Sequence, residues 1–212
     1  MRKFRDSQPV RTYTGPKKND YTKYHNLLAE DFNHRCGYTD CLDTWWGDGF
    51  NIDHFAPKKP KILDAEKLKK FDDLKNDYKN LVYSCPQVNR AKGADWASDD
   101  PSKAIVDGKG YLDPCVDFNE FFERSNSGGI MPKANPTAEY MWKKLKLYLI
   151  RYELYWRLEQ LAQRKHRLHD FRRMLQLPEA IRLEVLTAIA DLDEEFDKYW
   201  NYLRVDYRKL IR

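Results

Sequence analysis

The sequence predicts an α+β fold, mostly α: a small β-containing core with a helix on its N-terminal side and a helical extension on its C-terminal side. Three observations point there. The stretch GFNIDHF at 49–55, behind the turn-like GDG at 47–49, carries the residue types of a short strand. Residues 94–136 are rich in Pro, Gly, Asp and Ser, the composition of irregular chain. From Thr137 onward apolar residues recur at helical spacing. The 212 residues are 42% hydrophobic and 14% aromatic, enough for a packed core in a domain of ordinary size.

Residues 1–20 read as a basic N-terminal arm. Arg2, Lys3, Arg5, Arg11, Lys17 and Lys18 outnumber Asp6 and Asp20, as in a solvated tail or an arm that holds nucleic acid or a partner. Tyr21 to Asn33 has helical spacing, with Tyr24, Leu27, Leu28 and Phe32 on one face. RCGYTDC at 35–41 turns sharply, and the strand GFNIDHF must stop at Pro57. DAEKLKKFDDLKN at 64–76 is an amphipathic helix with Leu68, Phe71 and Leu74 inward and Asp64 as N-cap. DYKNLVYSC at 77–85 is loop and a short apolar segment. Pro86 opens a short helix in PQVNRAKG at 86–93. Another short helix is expected at DFNEFFER, 117–124.

The pattern from Thr137 predicts one long helix, with Met141, Leu145, Tyr148, Tyr152 and Tyr155 on one stripe and Leu154, Leu158 and Leu161 on a second. Leu177-Pro178 breaks it, and Pro178 opens further helix. The chain therefore divides into a basic arm (1–20), a central α+β domain (21–133) and a helical region (134–212).

The net charge of +5 favours a polyanionic partner without the blanket positivity of a histone-like protein. No run approaches 18 apolar residues, so no membrane span is expected. The basic, polar N-terminus has no apolar leader region, which predicts a cytoplasmic location. Four unevenly spaced cysteines then read as reduced thiols or metal ligands.

The chemistry concentrates in NIDHFAPKK at 51–59 and NLVYSCPQVNRAKG at 80–93. Hydrolysis of a phosphodiester needs a base for water, a hard cation for charge on the phosphate and leaving oxygen, and positive groups that hold the backbone. His54 is the candidate base, since an imidazole titrates near neutrality. Asp53 supplies a hard oxygen for Mg²⁺ or Mn²⁺, and Asn89 a second, neutral one. Lys92, three residues after Asn89 on one helix, would reach a phosphate, joined by Lys58 and Arg90. Neighbouring strand residues face opposite ways, so Asp53 and His54 share a site only where the strand ends or distorts. Asn80 would tie down the loop or bond the second ring nitrogen of His54.

IDHFAPK (52–58), Asn80-Leu81 and SCPQVNRAKG (84–93) together resemble the HNH endonucleases, which are built on the ββα-metal fold. The resemblance implies His54 as general base, Asn80 as the middle structural residue, and Asp53 and Asn89 as metal ligands. RCGYTDC is similar to the cysteine knuckle that precedes the motif in many members. GYLDPCVDFNEFF and GGIMPKANPTAEYMWKKLKL are similar to the nuclease subunits of Septu-type and retron-associated anti-phage defence systems. That implies an ABC/SMC-like ATPase partner, docked through the C-terminal helices, and DNA ahead of RNA as substrate. Many members bind a structural zinc with two Cys-x-x-Cys pairs. Here Cys36 and Cys41 are spaced by four, and Val88 stands where Cys85 would find its partner. Three thiolates do not close a tetrahedral site. A zinc would need His34 or Cys115; the alternative is a pocket of buried thiols. A second class of function stays open: a non-catalytic nucleic-acid-binding or scaffold protein that retains the ββα shape.

Overall fold

The computed structural model describes residues 1–47, 49–61, 64–116, 118–174 and 176–209. The fold is α+β, with helix predominant and the strands short. Two compact units divide the chain, Met1–Tyr152 and Glu153–Arg212.

The first unit opens with β1 (Arg2–Lys3), then a 3-10 turn at Tyr21–Tyr24 that runs into α1 (His25–Asp31). The Asp20 carboxylate caps this segment by accepting the Thr22 N–H. Tyr24, Leu28 and Phe32 are buried as their spacing predicts, but Leu27 is exposed. β2 (Asn51–His54) follows, then α2 (Ala65–Asp72). Asp64 caps α2 by accepting from Glu66 and Lys67 N–H, and Phe71 fills the core. The helix ends at Asp72, short of the expected 76. β3 (Leu81–Ser84) pairs antiparallel with β2, from Asn51↔Ser84 to His54↔Leu81. Pro86 opens α3 (Pro86–Lys92) directly after β3. In chain order 51–92 thus runs β2, α2, β3 and α3, with β2 and β3 paired.

β4 (Ile105–Val106) and β5 (Lys109–Gly110) form a small hairpin. β6 (Phe122–Arg124) and β7 (Ile130–Pro132) complete a three-stranded sheet in the order β1-β6-β7. The helix expected over 117–124 is thus corrected: a 3-10 turn at Phe118–Glu120 gives way to strand. The reason is tertiary. Phe122 and Arg124 alternate inward, and the buried Arg124 guanidinium donates to the carbonyls of Phe4, Gly128 and Thr39 at 2.9 Å each.

The first twenty residues are no free arm. β1 pairs with β6, Arg5 is buried with its guanidinium on the carbonyls of Pro114 (3.2 Å) and Gly37 (2.5 Å), and Arg11 forms an ion pair with Asp113 at 2.9 Å. These arginines satisfy buried carbonyls that water cannot reach, which removes them from any solvent-facing role.

α4 (Pro136–Lys144) is capped by Asn135, whose side chain accepts from Thr137 and Ala138 N–H. The single helix predicted from Thr137 is in fact broken. Lys146 takes a left-handed φ of 55°, and α5 starts afresh at Ile150 (Ile150–Met174). The break lets Leu145 and Leu147 both be buried, which a continuous helix would place on different faces.

The second unit holds most of α5 and all of α6 (Glu179–Lys209), which begins after Pro178 as expected. Arg157 donates to the Tyr199 hydroxyl at 2.7 Å, Lys165 pairs with Asp193 at 2.7 Å, and Val185 and Ile189 are buried. Among the described residues no helix is long and apolar enough to cross a membrane.

Candidate active site

A cleft of about 830 Å³ opens beside β2, and His54, Asp53, Asn89 and Lys58 all line it. The strand ends at His54, so the condition for Asp53 and His54 to share one site is met.

His54 donates its Nε2 proton to the carbonyl oxygen of Lys75 at 2.8 Å. A carbonyl only accepts, so the tautomer is fixed and the Nδ1 lone pair is left unprotonated. The ring is buried, and the edge of Tyr21 meets it at 4.7 Å and 75°. Burial, with the positive charges of Lys58, Lys92 and Lys75 against it, pushes the imidazole pKa down to about 4; the bond to Lys75 opposes this only in part. The His54 imidazole is therefore uncharged at physiological pH.

Asp53 is fully surrounded. Its Oδ2 accepts from the Tyr38 hydroxyl at 2.8 Å and from Lys92 Nζ at 3.1 Å, and Oδ1 lies 3.3 Å from the same ammonium. Burial raises its pKa, while Lys92 and Tyr38 pull it back toward the ionised form. Lys92 also donates to the His54 carbonyl at 2.6 Å, and its side chain is 0% exposed. The expected phosphate contact by Lys92 is thus not its observed placement. It faces inward, where an ammonium must find a carboxylate or suffer the full cost of desolvation.

Asn89, on α3, is half-buried and lines the cleft; among the described residues its amide has no hydrogen-bond partner. Asn80 spans the loop after β2: its Oδ1 accepts the Ala56 N–H at 2.8 Å and its Nδ2 donates to the Ala56 carbonyl at 3.0 Å. It does not bond the His54 ring, whose Nε2 belongs to Lys75. Lys58 donates to the Tyr21 hydroxyl at 3.2 Å and stands over that ring at 4.6 Å. Arg90 is exposed on α3 and is not part of the cleft lining.

Cys36, Cys41 and Cys85 are free, buried thiols. Cys36 Sγ accepts the Cys85 N–H at 3.4 Å, and the Cys41 thiol donates to the Thr39 carbonyl at 3.8 Å. The rings of His34 are engaged elsewhere, with Asp43 at 3.0 Å and Glu30 at 3.4 Å. The Tyr152 hydroxyl is buried without a hydrogen-bond partner among the described residues, and that burial, with smaller contributions from Cys85, Cys36 and Cys41, raises its pKa.

Sequence reasoning missed Tyr21, Tyr38 and Lys75. Nothing in the local pattern around Tyr38 or Lys75 marks them, because each meets β2 only through the tertiary fold. Asp53 and Asn89 are oxygen donors of the kind a hard cation takes, although the Lys92 ammonium stands on both oxygens of Asp53. Oδ1 of Asp53 keeps lone-pair capacity, the Asn89 amide is unclaimed, and both face the same cleft. Comparison with protein-family models, with curated proteins and with solved structures returned no match for the chain.

Proposed function

We propose that the protein is a metal-dependent endonuclease of the HNH type, with 51–92 as its ββα-metal core, hydrolysing phosphodiester bonds of nucleic acid and DNA ahead of RNA. The observation that carries this reading is the state of His54: a neutral imidazole, its tautomer set by Lys75, opening into the cleft that Asp53 and Asn89 share. Nδ1 accepts the proton of the attacking water as its oxygen bonds to phosphorus. Asp53 and Asn89 would hold Mg²⁺ or Mn²⁺, which supplies charge stabilisation for the phosphate and the leaving oxygen. Lys92 and Tyr38 hold the Asp53 carboxyl in place, and Asn80 fixes the loop that follows the base. Lys58, at the cleft wall, serves the phosphate backbone.

Plasmid cleavage with Mg²⁺ or Mn²⁺, wild type against His54→Ala, tests this. A general base contributes about 10²–10⁴-fold, so a variant as active as wild type would remove His54 from the role.

Phe171, Ile181, Leu183, Leu186 and Tyr202 are exposed on the helices of the second unit. They support the C-terminal helices as the docking surface for an ATPase partner in an anti-phage defence complex. One observation favours the non-catalytic reading instead: the Asp53–Lys92 pair already neutralises the carboxylate a cation would use. Metal-dependent cleavage decides between the two.

A further inference from the structure

A second pocket, about 340 Å³, lies next to the catalytic cleft in the first unit, and the two share Ala94 in their walls. Gly93 ends α3 with a φ of 56°, a turn that suits glycine and brings Ala94 to the divide between the pockets. The second pocket is lined by Trp96, Lys61, Lys144 and Asp95, and by the inward-facing Lys92.

Its chemistry is that of a subsite for a nucleic-acid strand. Trp96 is half-buried and rigidly held. Its Nε1 donates to the Asp100 carbonyl at 3.1 Å, Tyr111 lies nearly parallel to it at 13°, and Phe55 meets it perpendicularly at 5.4 Å. Asp95 is fully engaged: Tyr111 and Tyr140 donate to it at 2.7 and 2.6 Å, and Lys144 stands 3.3 Å away. Lys92 belongs to Asp53. That leaves Lys61, exposed and without a carboxylate partner among the described residues, as uncompensated charge at the rim. A fixed aromatic beside free and partly free ammonium groups is how proteins hold single strands, by stacking a base and tracking the phosphates.

Building on the nuclease reading, we infer that the substrate strand continues from the His54 cleft over Ala94 into this pocket, where an unstacked nucleobase lies against Trp96 and the flanking phosphate meets Lys61 and Lys144. The site takes single-stranded or locally unpaired nucleic acid, because a base inside a duplex has both faces covered by its stacked neighbours.

Fluorescence anisotropy in EDTA, with a labelled single-stranded DNA oligonucleotide and with a labelled dinucleotide too short to span both pockets, tests it. Trp96→Ala should weaken binding of the long strand by roughly 5- to 150-fold, the range of one base–aromatic stack. Lys61→Glu, a surface change that leaves the fold alone, should make the dependence of log K on log salt shallower by about 0.7. The dinucleotide, which can lodge in either pocket, should bind more weakly and lose less than the long strand. Unchanged binding of the long strand in Lys61→Glu, or equal losses for both ligands, overturns the inference while the nuclease reading stands. Wild type that binds no oligonucleotide at all overturns both.

Discussion

His54 and Lys75 are joined by a 2.8 Å hydrogen bond from the imidazole Nε2 to a main-chain carbonyl, and that bond settles which ring nitrogen carries the proton. The remaining nitrogen is unprotonated, and burial together with three nearby lysines keeps the ring uncharged. The pH response follows from this arrangement.

The imidazole pKa lies near 4 in the folded chain, against 6.5 for an unperturbed histidine. The unfolded chain therefore binds more protons between these values, and the His54 contribution to stability is complete above about 6.5 and lost as pH falls toward 4. Denaturant midpoints measured across that window should decline, and His54→Gln should flatten the decline. The acid limb of kcat/KM for cleavage should fall near pH 4, well below the usual histidine range.

Removing the ammonium of Lys92 leaves the buried Asp53 carboxyl without its counter-ion, held by the Tyr38 hydroxyl and the His54 backbone N–H. Lys92→Met should destabilise by about 3–5 kcal/mol in urea unfolding. Asp53→Asn combined with Lys92→Met should recover a large part of that loss, since no buried charge is then left over. A double variant no more stable than Lys92→Met alone would show that the pair is not the source of the effect.

Asn80→Ala strips both partners from the Ala56 peptide groups, which are buried. The expected cost is about 1–3 kcal/mol per orphaned group. Thermal unfolding gives the size of the loss. Asn80→Asp, which sets a carboxylate oxygen against the Ala56 carbonyl where a donor stood, should cost at least as much as alanine.

Arg124→Leu releases three carbonyls, on Phe4, Thr39 and Gly128. Limited proteolysis should then cut within the first twelve residues, a region protected in the wild type by β1 and by Arg5. Equal cleavage rates in both proteins would mean that the N-terminal strand is held by other contacts.

Local rules of chain geometry were readable before any coordinates. Asp64 caps α2, Pro86 and Pro178 precede helix, and the strand through Asp53 stops at His54 ahead of Pro57. Each depends on dihedral preference or on a side chain reaching its own neighbours, so a few residues suffice to decide it. The grouping of His54, Asp53 and Asn89 was also legible, as residue types at a spacing. Phe122–Arg124 was not, because its strand exists only where β1 and β7 flank it. Nor was the break at Lys146, where burying Leu145 and Leu147 outweighs the continuity of a helical repeat.

Strong local signals in the chain thus marked the element types and the stretch that brings His54, Asp53 and Asn89 to one cleft. Only the tertiary structure decided that Lys92 turns inward to Asp53, that Lys75 supplies the carbonyl for His54, and that the basic N-terminus is a strand and a set of buried arginines. The physical reason is the same in each case. A charge or a polar hydrogen is inexpensive in water and costly in a core, and which of the two surrounds it depends on residues far away along the chain.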